Sequence, residues 1–121
     1  MTSLDNLRQL QRIAQMRSDG ALGSLADIRR RESACLDEIA ARRQTLASVR
    51  HDSGADFGLT ARIELFERWA AKEIERAQND LNGLQELRAE QHAKAAQAFA
   101  RADVLRRLHE QLSAAEIKKR R

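Results

Sequence analysis

Apolar residues recur along this chain at alternating steps of three and four, the spacing that keeps one stripe of a helix against a partner. From Leu4 the stripe reads Leu4, Leu7, Gln11, Ala14, Ser18, Ala21, Leu25, Ile28, Glu32, Cys35, Ile39, Arg42, Leu46 and Val49, and ten of these fourteen positions are apolar. One unbroken heptad frame over 46 residues predicts a long first helix, about 3–50. The frame stops in His51-Asp52-Ser53-Gly54-Ala55-Asp56-Phe57-Gly58, which holds two of the five glycines and two aspartates and predicts a turn at about 51–58.

A second frame follows, predicting a helix over about 59–118. Leu59, Ile63, Phe66 and Ala70 open it, a four-residue stutter leads to Ile74, and Ala77, Leu81, Leu84, Arg88, Gln91, Ala95, Ala98, Ala102, Leu105, His109 and Leu112 continue it. If the helices fold back on each other, facing residues have numbers with a constant sum. A sum of 109 sets Leu4 opposite Leu105, Ile28 opposite Leu81, Cys35 opposite Ile74 and Leu46 opposite Ile63, so that large meets large. Gln11 to Ala21 then face Arg88 to Ala98, small or polar on both sides. The expected fold is therefore all-α: residues 1–121 form a single two-helix antiparallel coiled-coil hairpin, an elongated rod whose longer second helix would measure about 90 Å. The half near the turn should be the better packed. Under the same sum residues 106–121 overhang with no partner in the chain, so their removal should leave stability almost unchanged.

Composition agrees with a thin seam rather than a globular core. The chain has no proline, aromatics make up only 3 %, and residues that lose little entropy in a helix dominate. Lys and Arg number 22 against 18 Asp and Glu, but Lys118, Lys119, Arg120 and Arg121 form a basic tail, without which the two signs balance. A duplex-binding protein needs a basic face that displaces many counterions, so nucleic acid is not the expected partner. Cys35 is the single cysteine, which excludes an intramolecular disulfide. The N-terminal segment carries charges within its apolar spacing and reads as neither a signal peptide nor a membrane span. The expected location is cytoplasmic.

Little here points to catalysis. Asp56-Phe57-Gly58 spells a kinase tripeptide without any of its companion motifs and reads as a turn. Gly20 and Gly23 lie inside a heptad frame with no preceding strand, which argues against a phosphate loop. His51, His92, His109 and Cys35 are too scattered to converge on a metal. No enzyme activity, metal or cofactor is expected. Glu32 and Arg42 fall in the stripe, where their charged ends should extend outward to solvent. At the turn end, Phe57, Phe66 and Trp69 join Leu46, Val49, Leu59 and Ile63 in an apolar tip too large for two helices to bury, a candidate contact surface. At the open end Leu4, Leu7, Leu105, Leu108, Leu112 and the tail Lys118, Lys119, Arg120 and Arg121 form a second one.

The layout resembles the FliJ/YscO family of coiled-coil stalk proteins of flagellar and virulence type III export. The resemblance lies in the early LRQLQRIAQMRSD helix, a first arm ending in LASVR, a short polar turn, and a second arm running through LRAEQHAKAAQAFARADVLRRLHEQL. It implies a hairpin whose open end enters a hexameric export ATPase while the turn approaches a membrane export-gate protein. In that arrangement Leu46, Val49, Leu59, Ile63 and Phe66 would face the gate, and Leu4, Leu7, Leu105, Leu112 and the basic tail the ATPase. The resemblance also implies a peripheral position at the inner face of the membrane through the export apparatus. Two other classes fit the same sequence: a secretion chaperone cradling one exported subunit along the alanine-rich seam, and a structural coiled-coil or nucleic-acid-associated rod using its basic tail. The expected partners are proteins, and none of the three readings has a small-molecule substrate.

Overall fold

The computed structural model describes residues 3–52 and 57–120, and every one of them is helical. Helix α1 spans Ser3–Asp52 and helix α2 spans Phe57–Arg120, 50 and 64 residues long. His51 and Asp52 belong to α1, and Phe57 and Gly58 to α2, although the glycine and aspartate content had assigned them to the turn. Residues 53–56 of that turn lie outside the described residues. The helix ends suit the backbone dipole: Asp5 lies in the first turn of α1, and its last turn carries Arg50 and His51. Three of the four residues of the basic tail, Lys118, Lys119 and Arg120, form the last turn of α2, where cations are favoured.

The helices contribute to two compact units, a terminal one of Met1–Asp27 with Arg88–Arg121 and a central one of Ile28–Leu87. In the central unit Arg50 on α1 reaches Glu67 on α2 at 3.0 Å, and Glu38 accepts from Arg76 at 3.5 Å. In the terminal unit Arg8 donates to His109 at 3.3 Å. One helix rises in number as the other falls, so the pairing in each unit is antiparallel.

These pairs correct the register expected from the sequence. Their numbers sum to 117, 114 and 117, not to 109. The heptad frame itself is largely preserved, because a slip of one heptad, about 10 Å along the helix axes, carries most stripe positions onto other stripe positions, the exceptions lying at the stutter. In the register of about 116, Ile39 is level with Ala77, Leu46 with Ala70, and Ala14 with Ala102. At the first two of these levels large meets small, and at the third small meets small. Ala70 and Ala77 are only 0 % and 2 % exposed, as expected when a short side chain lies under a longer one from across the seam. Cys35 is accordingly level with Leu81 instead of Ile74.

The register can be read with the native thiol. Leu81→Cys should form a disulfide with Cys35 on mild oxidation, whereas Ile74→Cys, displaced by about 10 Å, should not, since a disulfide needs Cα atoms within about 7 Å. A gel-shift ranking of the reverse kind would restore the sum of 109.

Two further positions differ from expectation. Arg88 is exposed and Leu87, one residue earlier, is half-buried, so the stripe on α2 shifts by one position there. An apolar neighbour displaces a charge from the seam at no cost in helix geometry. Glu32 does not extend to solvent: it is buried at 8 % exposure and engaged in a polar interaction. Its short side chain cannot snorkel as a lysine would.

Candidate protein-binding surface

In the central unit the tip expected from the sequence is only partly a surface. Leu46, Val49, Ile63 and Phe66 are half-buried. Phe66 and Trp69, one helical turn apart, have ring centroids 5.7 Å apart at an interplanar angle of 41°. Trp69 is exposed, and the Arg42 guanidinium lies 4.5 Å from its ring centroid. Arg42 thus leaves the seam sideways and is held by a cation–π contact instead of projecting freely into water. The side chains of Phe57 and Leu59 lie outside the described residues.

Among the described residues, most of the exposed large apolar side chains belong to the terminal unit. The residues expected from the sequence divide there: Leu7 is buried and Leu4 and Leu105 are half-buried, whereas Leu108, Leu112, Lys118, Lys119 and Arg120 are exposed. Arg121 lies outside the described residues. The segment expected to overhang is in fact paired over its first two turns, from residue 106 to about residue 113. Besides the Arg8–His109 hydrogen bond, Ser3 and Leu4 line one shallow groove with Leu112, Ala115 and Lys119. The overhang is shortened because the one-heptad slip brings Ser3, the start of α1, level with residue 113 of α2.

Sequence reasoning missed Leu10 and Ile13, which are 53 % and 48 % exposed. They sit one step off the heptad frame of α1 and line a groove with Ala98, Arg101 and Leu105 of α2. Leu105 continues at helical spacing to the exposed Leu108 and Leu112. The signal was present, since leucine and isoleucine at positions 10 and 13 lie where a two-helix seam has no use for them, and only the placement of α2 shows what they join.

On its other side the terminal unit is ionic. Asp103 accepts from Arg106 at 2.8 Å and pairs with Arg107 at 3.0 Å, and Arg106 also reaches Glu110 at 2.9 Å. The hydrogen bond from Arg106, aided by the nearby charges of Arg107 and Arg106, holds the Asp103 carboxyl below its ordinary value of 3.8 against an opposing desolvation. The same hydrogen bond, with the nearby charge of Glu110, raises the Arg106 guanidinium above its ordinary value. A depressed carboxylate favours the folded helix above its unfolded pKa, and that contribution disappears as pH falls through the lower folded value. Titration of Asp103 followed by carboxyl NMR should therefore show a midpoint below 3.8, and Arg106→Ala should return it toward 3.8.

No group of three or more His, Cys, Asp or Glu among the described residues is placed to hold a metal ion. Nor is any helix of the described residues long and apolar enough to cross a membrane. The fold and its surfaces define a class, the all-α antiparallel two-helix hairpin. Comparison with protein-family models, curated proteins and solved structures finds no significant match to this chain.

Proposed function

We propose that this hairpin is a non-enzymatic protein-binding element, and specifically the cytoplasmic stalk of a type III export apparatus, linking a hexameric export ATPase to a membrane export gate. The observation that carries the binding role is the concentration of exposed large apolar side chains on the terminal unit, among them Leu10, Ile13, Leu108 and Leu112. Side chains of this kind at about half exposure add little to a two-helix seam and contribute strongly when a partner covers them. The stalk reading adds the resemblance of the two arms to export stalks and gives the terminal unit to the ATPase and the half-buried Leu46, Val49, Ile63 and Phe66 to the gate.

Co-purification of the tagged full-length chain with the export ATPase tests this reading. The expected result is a complex retained by the wild type and lost in Leu108→Asp/Leu112→Asp, with the helical circular-dichroism signal unchanged, since both residues are 42 % exposed. Capture of a single exported subunit without the ATPase would move the assignment to a chaperone.

A further inference from the structure

The groove on the terminal unit has features that specify its occupant. Leu10 and Ile13 form one wall, Ala98 and Leu105 the other, and Arg17 and Arg101 stand among them. Two guanidinium groups and no carboxylate line it. Neither arginine has a carboxylate partner among the described residues, whereas Arg106 and Arg107 on the opposite side are paired with Asp103. The numbers 17 and 101 sum to 118, close to the register of the hairpin, so the two cations are nearly level across the groove. Lys94, one helical turn before Ala98 on the same row, adds a third exposed positive charge.

We propose that this groove docks an acidic amphipathic helix of a partner protein, completing a local three-helix bundle. Its cavity of ≈ 160 Å³ is below the roughly 300–1,000 Å³ typical of small-molecule sites, and suits a few side chains inserted from a helix. An extended strand is a poor occupant, because two helices offer no free backbone edge to pair its N–H and C=O groups. A helix satisfies its own backbone and presents a leucine row at i, i+3 and i+7 to the groove. Along α2 the row Ala98, Arg101, Leu105, Leu108 and Leu112 extends for about 21 Å, which matches four turns of such a helix. The level pair of unpartnered arginines selects glutamate or aspartate beside the leucines and disfavours lysine. This proposal stands apart from the stalk reading, since it names the chemistry of the docking element and not the protein that carries it.

The test uses the full-length chain and two fluorescent 18-residue helical peptides that share one leucine row, one flanked by glutamates and the other by lysines. Fluorescence anisotropy at low salt should show the glutamate peptide binding at least tenfold more tightly, because like charges across an interface are strongly unfavourable. Ile13→Asp should weaken it at least tenfold with an unchanged melting curve, and Arg17→Glu/Arg101→Glu should invert the preference between the peptides. Equal binding of both peptides, or glutamate-peptide binding indifferent to Ile13→Asp, would overturn the proposal. So would a concentration-dependent dimer in sedimentation that Ile13→Asp dissolves, which would make a second copy the occupant. Binding of anionic phospholipid vesicles in place of either peptide would assign the groove to a lipid surface instead. Failure of the ATPase co-purification alone would leave the groove's specificity intact.

Discussion

Ile39→Ala should lower the unfolding free energy by about 2–4 kcal/mol, among the largest effects expected of a single truncation in this chain. Ile39 is 6 % exposed in the central unit, and its level partner across the seam is Ala77, itself 2 % exposed. Removing the larger member of a large–small pair leaves a gap that alanine opposite cannot fill. With so thin a core there is no second layer to relax into it. The reverse change, Ala77→Leu, should also destabilise, by about 1–3 kcal/mol, because two bulky side chains would then compete for one level of the seam. Leu65→Ala is the control: Leu65 is 65 % exposed, and its truncation should change stability by less than about 0.5 kcal/mol. Chemical denaturation with a common slope measures all three. Tolerance of Ala77→Leu together with a large cost at Leu65 would show that the seam faces another way.

Truncation after Leu105 should remove more helix than the deleted residues contain. In the register of about 116, α1 from Ser3 to Leu10 packs against the segment that is lost: Arg8 would lose His109, and Leu4 the groove it shares with Leu112 and Ala115. Left alone, the first two turns of α1 are too short to hold a helix in water. Eight residues of α1 should therefore fray along with the fifteen described residues deleted from α2, so far-UV circular dichroism should fall by about a fifth of the helical signal. The expectation drawn from the sequence, a dispensable overhang, gives a loss confined to the deleted residues. A loss of that smaller size, with an unchanged melting temperature, would return the register to the sequence-based sum. The same truncation removes Leu108 and Leu112 and should abolish capture of the ATPase under the stalk reading.

How much of this was legible in the sequence depends on distance along the chain. Helix was legible because it is local: each residue answers to neighbours three and four away, and neither arm contains proline. The stripe was legible too, since Leu7, Ala14, Ser18, Leu25, Ile28 and Ile39 lie on it and are buried. Register was not, because a heptad repeat superimposes on itself after a seven-residue slip and only cross-helix pairs such as Arg50–Glu67 and Arg8–His109 break the tie. Matching large residues with large chose the wrong copy of the frame, where close packing sets Ile39 over Ala77.

The candidate surface divides in the same way. Leu108 and Leu112 could be placed in it from their spacing alone, whereas Leu10, Ile13, Arg17 and Arg101 acquire a meaning only when two helices bring them to one groove. By itself the sequence determined an all-helical chain, a single turn region and one apolar stripe per arm, all properties of short-range geometry. The tertiary structure decided which level of one arm meets which level of the other, and so which charges pair, which leucines stay exposed and where a partner would find two unpartnered arginines. Those depend on contacts such as Arg8–His109 between residues 101 positions apart, and a seven-residue repeat carries no information that distinguishes one such alignment from the next.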